Sequence, residues 1–464
     1  MTNLILNTDS YKTSHFLQYP PETEKISSYI EARGVSRDFV PVEKTVFFGL
    51  QMFLEEYMSK PITKSNIEEA EDIFKMHGVP FNRQGWDYIL NAHDGYLPVM
   101  IQALPEGYKV PLHTALVQVQ NTDDRVPWLT SYVETALLRA VWYPTTVATL
   151  SRHIKDIIAE ELILTQGNTE GIDFMLHDFG ARGVSSKESA GIGGVAHLVN
   201  FQGTDTVEAL VYARKYYKAS MPAYSIPAAE HSTITAWGRD GEVKAYENMV
   251  DQFGDKLYAV VSDSYDIYNA ADNLWGTVLK DKVIEKGGRL VIRPDSGNPV
   301  DVIGRLLHIL ADKFGYTTNE RGFRVLHPSV RLIQGDGVNA NSIKEILKSM
   351  RLNGWATSNI VFGMGGALLQ QVNRDSLKFA MKASAIMING KWQDVYKDPV
   401  TDPGKMSKRG LLEVVGDDFK TIRAEDRYLT SKYLKDEPRL NIVYRDGVLT
   451  KEVSLDTIRE RSNM

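Results

Sequence analysis

Two periods alternate through the middle of the chain. Short, almost wholly apolar runs such as Leu257–Val261 and Leu290–Ile292 are followed by longer segments in which apolar residues recur every three or four positions. The first kind fits parallel strands buried on both faces, and the second fits amphipathic helices laid over them. In the segment 299–314, Val300, Ile303, Leu306, Leu307 and Leu310 form one stripe, and Pro299 suits the first helical turn. The alternation begins near residue 172 and fades after about residue 376. Ahead of it the chain is richer in aromatics, with a helical stretch over 65–76 and extended pieces over 109–120. Behind it, 394–410 reads as a long loop rich in Pro, Lys and Asp, and 440–444 as a strand expected to fold back onto the amino-terminal layer. The pattern predicts an α/β domain over 171–376 and an α+β domain built from 1–170 and 377–464.

Each apolar run in the middle stretch stops abruptly in charged residues and glycine. The tips are His177-Asp178-Phe179-Gly180-Ala181-Arg182, Gly203-Thr204-Asp205, Ala229-Glu230-His231, Ser262-Asp263-Ser264, Arg293-Pro294-Asp295-Ser296-Gly297, Gln334-Gly335-Asp336-Gly337 and Gly363-Met364-Gly365-Gly366. In α/β barrels the ligand lies at the carboxyl ends of the strands, where each strand delivers one or two polar groups to a common pocket. The spacing therefore predicts a barrel enzyme with one site.

Composition narrows the chemistry. The 464 residues contain no cysteine, which excludes disulfides, thiol catalysis and Cys-ligated zinc or iron–sulfur sites. A formal charge of −6 argues against nonspecific nucleic-acid binding, which calls for a basic surface. The start MTNLILNTDSYK lacks the basic and apolar parts of a signal peptide, and no run of about 18 apolar residues occurs, so a cytoplasmic chain is expected with no membrane partner.

The tips have specific chemical readings, each with a plainer structural one. Asp263 and Asp295 end strand-like runs and can approach each other, a pair suited to Mg²⁺ held together with substrate phosphates; either can instead cap the next helix. Arg293 offers a planar fork for phosphate, or an ion pair with Asp295. The glycine tips at Gly335-Asp336 and Gly365-Gly366 precede helices, so their N–H groups can face an anion, or the glycines can serve turns that need positive φ. Arg374, taken to lie on the helix after Gly366, can add charge. Asp205 is read as a buried carboxylate that accepts a carboxamide N–H and repels an acid, or as a helix cap. Phe179 offers a stacking face or joins the core. His231, at a strand-to-helix boundary, suits a general base or a phosphoryl acceptor, or is structural.

Three motif matches fail on context. Gly191-Ile192-Gly193-Gly194-Val195-Ala196 fits a dinucleotide fingerprint, but no strand precedes it and a strand-like run is expected after it. Lys405-Met406-Ser407-Lys408-Arg409 resembles the nucleotide-contacting loop of class I aminoacyl-tRNA synthetases without its partner element, which leaves a basic loop able to meet phosphate. His177-Asp178 lacks the further helical histidines of a metal phosphohydrolase.

Taken in order, Thr8-Asp9-Ser10-Tyr11-Lys12, the 177–186 tip, Gly203-Thr204-Asp205-Thr206, Pro227-Ala228-Ala229-Glu230-His231-Ser232, Val261-Ser262-Asp263-Ser264-Tyr265-Asp266 and Ile292 to Pro299 closely resemble the nicotinamide phosphoribosyltransferases. The resemblance covers nearly the whole chain. It implies the type II phosphoribosyltransferase fold: an incomplete α/β barrel, a second domain from both chain ends, and homodimers with sites at the interface. It implies that nicotinamide and 5-phosphoribosyl 1-pyrophosphate give nicotinamide mononucleotide and pyrophosphate, the first step of nicotinamide salvage to NAD. By the same resemblance Phe179 and the partner's Tyr11 sandwich the pyridine ring, and Asp205 holds the carboxamide. Asp9, in the motif that carries Tyr11, joins the substrate set. Arg182 and Arg293 contact pyrophosphate or ribosyl groups, Asp295 and Gly335-Asp336 the ribose, and Gly365, Gly366 and Arg374 the phosphate. Asp263 and Asp295 organise Mg²⁺, and ATP hydrolysis is coupled through a phosphohistidine at the His231 position. Lys382 matches a phosphate-contacting lysine, while Ala367 and Ala380 depart from the pattern of the animal enzymes. Rival readings are a nicotinate phosphoribosyltransferase, a barrel that senses nicotinamide mononucleotide or NAD without turnover, and a metal-dependent aldolase or hydrolase.

Overall fold

The computed structural model describes residues 3–401, 405–428, 433 and 436–464, so residues 402–404 of the expected 394–410 loop lie outside the described residues. The chain forms two compact units: Met1–Thr149 with Ala213–Ala219 and Val372–Met464, and Leu150–Tyr212 with Ser220–Gln371. The first break lies inside the helix Glu134–Gln166, between Thr149 and Leu150, ahead of the residue-170 boundary expected from texture.

In the terminal unit a seven-stranded antiparallel sheet runs Lys391–Asp394, Phe379–Ile388, Thr23–Ala32, Val117–Asn121, Val99–Ala103, Asn441–Arg445, Val448–Leu449. Strands from both chain ends alternate in it: the carboxyl-terminal Asn441–Arg445 pairs with Val99–Ala103, and Phe379–Ile388 pairs with Thr23–Ala32 over nearly its whole length. The helix expected over 65–76 is Lys64–His77, capped at its start by Thr63 and Asn66.

The other unit holds a six-stranded parallel sheet in the order Gly203–Thr204, Leu176–Asp178, Ile360–Met364, Val330–Gln334, Arg289–Arg293, Leu257–Val261. The segment from Tyr224 to Ala229 ties its two edges together. Tyr224 N–H donates to Gln202 O (2.9 Å) and Thr204 N–H to Tyr224 O (3.2 Å), while Ala229 N–H donates to Ala259 O and Ala259 N–H to Pro227 O, both at 2.9 Å. Single bridges rather than a regular strand thus close the barrel. Helix Pro299–Phe314 forms as the pattern predicts, burying Val302, Ile303, Leu306, Leu307, Leu310 and Phe314. Asn298 caps it, accepting from Val300 and Asp301 N–H.

Residues Lys187–Leu198 form a helix, so the strand-like run expected after Gly191 is not one. A Cβ on Gly191 would lie 2.5 Å from the Tyr212 ring, and one on Gly194 2.5 Å from Ala209 Cβ. These glycines are in the helix because a neighbouring helix packs against them, which overrides their poor helix propensity. They lie in a helix interior, so the dinucleotide reading still fails. Among the described residues no helix is long and apolar enough to cross a membrane.

Candidate active site

All seven polar tips lie at the carboxyl ends of the barrel strands or of the closing segment. Beside the Leu176–Asp178 tip, Phe179 is held by its N–H to Met364 O (2.9 Å), and its ring lies on Gly363. A Cβ at Gly363 would come 1.9 Å from Phe179 Cε2, so only glycine leaves the ring its place. A Cβ built on Gly335 would meet Phe179 Cε2 at 3.5 Å, Asp295 Oδ1 at 3.7 Å and Arg293 Cδ at 3.8 Å. Four tips therefore converge on one spot. The short turn Ala181–Gly183, which carries the exposed Arg182, packs with Gly183 against Gly366, where a Cβ would come 3.1 Å from Gly366 Cα.

Phe179, Asp205, Ser225 and Arg293 line one end of a cavity of about 530 Å³. It continues past Ala259, Val291 and Ile333 to Leu257, Arg289 and Arg331 at the strand starts, so the barrel interior is partly open along its axis. Asp205 is exposed in the cavity wall rather than buried as the sequence suggested, because it follows the last residue of a two-residue strand. Its carboxylate accepts the Ser225 hydroxyl, and its N–H donates to Asp178 O (2.9 Å). The His177 ring lies flat against Gly203, and burial holds its pKa below the usual imidazole range.

Behind these residues Asp178 is fully buried, and burial pushes its carboxyl up to about 6 despite hydrogen bonds from Gly180 N–H (2.7 Å) and the Thr204 hydroxyl (3.3 Å). An acid whose folded pKa exceeds its unfolded value near 3.8 favours folding at low pH, and that contribution is lost as pH rises to about 6. Asp178→Asn keeps an acceptor for Gly180 and is expected to gain on the parent chain across this window, by about 3 kcal/mol at most above it. Denaturant titrations at pH 4, 5, 6 and 7 would check this, and a difference that does not change with pH would refute it.

Asp263, Asp295 and His231 meet at the neighbouring tips. His231 opens helix His231–Thr235; its Nε2 lies 3.4 Å from Asp295 Oδ2 and 3.7 Å from Asp263 Oδ1, and its Nδ1 3.4 Å from Ser264 Oγ. Asp263 Oδ2 accepts Asp295 N–H (3.0 Å) and the Ser296 hydroxyl (2.5 Å), but its buried Oδ1 has no hydrogen-bond partner. Neither aspartate caps the following helix, since Asp266 caps Ile267–Asn269 and Asn298 caps Pro299–Phe314. Arg293 Nε lies 3.8 Å from Asp295 Oδ1, and it too is buried without a hydrogen-bond partner. A buried anionic oxygen and a buried cationic N–H left open at one mouth suit a ligand with both a cation and phosphate oxygens. Among the described residues no group of three or more His, Asp or Glu is arranged to hold a metal.

The terminal unit holds the remaining sequence candidates. Asp9 accepts the Thr135 hydroxyl (2.5 Å), Tyr11 is exposed, and the buried Lys12 pairs with Glu134. Arg33, Arg374, Lys382, Lys397 and Lys405 share a cavity of about 230 Å³ with Glu134 and the buried Ala380. Burial lowers the Lys382 pKa, Glu134 opposes the shift, and Arg33, Lys12 and Lys397 add to it. That excess of cations matches an anion with several charges. Arg374 is not on a helix as expected: the helix after Gly365 ends at Leu369, and Arg374 sits in a turn beside Asp375 (3.2 Å). Arg33 and Lys397 carried no signal in the sequence, and the pairing of Ala32 with Phe379 and Tyr29 with Lys382 is what brings the two chain ends together.

This barrel, with its phosphate-suited tips, is that of a type II phosphoribosyltransferase. Residues 174–437 match the nicotinate phosphoribosyltransferase (NAPRTase) family, and residues 3–101 match the nicotinamide phosphoribosyltransferase N-terminal domain. The chain is 49% identical to the nicotinamide phosphoribosyltransferase of Xanthomonas campestris pv. campestris, covering 100% of this chain and 98% of the relative. It is 31% identical to that of Acinetobacter baylyi, covering 98% and 95%. Among solved structures, human nicotinic acid phosphoribosyltransferase shares the fold, with a TM-score of 0.62 at 16% identity over 98% of this chain and 93% of that one. The nicotinate-nucleotide pyrophosphorylase of Pyrococcus furiosus does so with 0.62 at 18%, over 99% and 95%. The chain belongs to the nicotinate phosphoribosyltransferase family and is a pentosyltransferase.

Proposed function

We propose that the chain transfers the phosphoribosyl group of 5-phosphoribosyl 1-pyrophosphate to nicotinamide, giving nicotinamide mononucleotide and pyrophosphate for NAD salvage in the cytoplasm. The observation that carries the nicotinamide reading is Asp205 in the cavity wall near Phe179. An ionised carboxylate accepts an amide N–H and repels a carboxylate ligand. The ring stacks on Phe179, and in a homodimer Tyr11 of the partner subunit covers its other face.

In the reaction the pyridine nitrogen forms a bond to C1′ as the C1′–O bond to pyrophosphate breaks. C1′ gains positive charge, which Asp295 stabilises, while Arg293 and Arg182 draw on the leaving oxygens. Gly335 and Asp336 hold the ribose, and the Gly365-Gly366 turn the 5′-phosphate. Asp263 Oδ1 and Asp295 would hold Mg²⁺, which neutralises charge on the leaving group. Stacking on a fixed ring keeps the nucleophile in line.

ATP is the coupled co-substrate in this reading. A His231 nitrogen bonds to the γ-phosphorus as ADP leaves, and water later releases phosphate and restores the imidazole. His231→Ala is expected to remove stimulation by ATP and leave basal transfer, read as mononucleotide formed with and without ATP; stimulation that survives the change would exclude His231 as the acceptor.

One observation favours the nicotinate alternative: the Arg293 guanidinium lines the same cavity and could pair with an acid. Chromatographic product formation with phosphoribosyl pyrophosphate and Mg²⁺ separates the two, with nicotinamide or nicotinate offered in parallel, each with and without ATP. Mononucleotide from nicotinamide alone supports the proposal, and product from nicotinate alone replaces it.

A further inference from the structure

We infer that Ser225 is a positioning residue for substrate choice: its hydroxyl fixes the Asp205 carboxylate in the orientation that accepts a carboxamide. The inference rests on the nicotinamide reading above and adds how the pocket tells amide from acid.

A carboxylate turns easily about its terminal torsion, because sp³–sp² rotations have broad, shallow wells. Among the described residues Ser225 is the only side chain hydrogen-bonded to Asp205, donating to Oδ1. That bond engages Oδ1 and leaves Oδ2 without a side-chain hydrogen-bond partner among the described residues, in a cavity that both residues line. The two ends of the bond are anchored separately. Asp205 is fixed through its N–H to Asp178 O, and Ser225 follows Tyr224, whose backbone bonds to both Gln202 and Thr204. The orientation is thus set by the barrel closure and needs no ligand.

The direction of the bond also matters. A hydroxyl has one proton, and donating it to Asp205 leaves Ser225 Oγ only lone pairs for the ligand. Asp205 alone then meets the amide N–H₂, and Ser225 has no proton left with which to hold the carboxylate of nicotinate. Without the hydroxyl, Asp205 keeps its charge but loses its fixed direction.

Steady-state kinetics and nicotinamide calorimetry on the full-length enzyme test this with Ser225→Ala, Ser225→Thr, Asp205→Asn and the Ser225→Ala/Asp205→Asn double variant. Ser225→Ala is expected to raise the nicotinamide KM and Kd about tenfold, the loss of one charge-assisted hydrogen bond, with kcat little changed. The nicotinamide-to-nicotinate ratio of kcat/KM should fall by a similar factor. Ser225→Thr should restore both. In the Asp205→Asn background the serine change should add less than about twofold, because coupled residues are not additive. An unchanged ratio in Ser225→Ala, or a full tenfold effect that persists in the Asp205→Asn background, would overturn the inference and assign Ser225 a direct ligand contact or none. Failure of the parent chain to form product from nicotinamide would overturn the functional reading, and this inference with it.

Discussion

Asp263→Asn is expected to lower kcat by about a hundredfold or more, the scale of removing one preorganised electrostatic contact, while nicotinamide binding stays near that of the parent chain. The Asp263 side chain is only 5% exposed, and Oδ2 already accepts from Asp295 N–H and the Ser296 hydroxyl. An asparagine must keep its oxygen toward those donors, since the opposite flip would set N–H₂ against N–H. Its amide nitrogen then replaces Oδ1, the buried oxygen without a hydrogen-bond partner that lies 3.7 Å from His231. A neutral donor would stand where the proposed chemistry needs an anionic acceptor for the cation that accompanies pyrophosphate. Single-turnover rates across a Mg²⁺ titration would show the loss together with a raised Mg²⁺ requirement. A variant that melts at a lower temperature yet keeps its kcat would assign Asp263 only to holding the Asp295-Ser296 turn.

The tips that build this site were legible because parallel strands covered on both faces read as unbroken apolar runs. The run Leu257–Val261 is the observed strand, and Leu290–Ile292 lies within Arg289–Arg293. The polar residue that ends such a run must lie at the mouth, which places Asp263 and Arg293 there from sequence alone. The closing segment carries that signal only at its end, where Ala229-Glu230-His231 reads as a tip. It lies beyond Pro222, contains Pro227, and bonds through single bridges, so it shows neither period. Ser225 therefore carries no signal in the sequence, although Glu230 and His231 at the end of the same segment do. The helix Lys187–Leu198 is not legible in the sequence, because glycine content argues against helix until the residue on the facing helix is known. Arg33 and Lys397 joined Lys382 only through pairing between distant strands, a relation that local pattern does not carry.

Gly363 was read from sequence as one glycine of a phosphate-facing tip, and the structure gives it a different task. Gly363→Ala is expected to lower kcat/KM for nicotinamide by about a hundredfold, the effect of a displacement near 1 Å at a stacking face, and to destabilise the fold by about 1–3 kcal/mol through overpacking. The new methyl would sit 1.9 Å from Cε2 and 2.2 Å from Cδ2 of Phe179, so the ring cannot stay. It has little room to yield, because Phe179 N–H is bonded to Met364 O in the adjacent strand, and Gly363 itself pairs with His177 across the sheet. The ring must therefore swing into the cavity, where the pyridine is proposed to lie. Gly304→Ala provides the comparison: it sits inside helix Pro299–Phe314 with nothing within 4 Å of its Cβ position, so it should keep full activity and gain up to about 1 kcal/mol from helix propensity. Nicotinamide calorimetry and denaturant melts on both variants separate binding from folding. If Gly363→Ala binds nicotinamide as the parent chain does, Phe179 is not the stacking face and belongs to the core beneath the site.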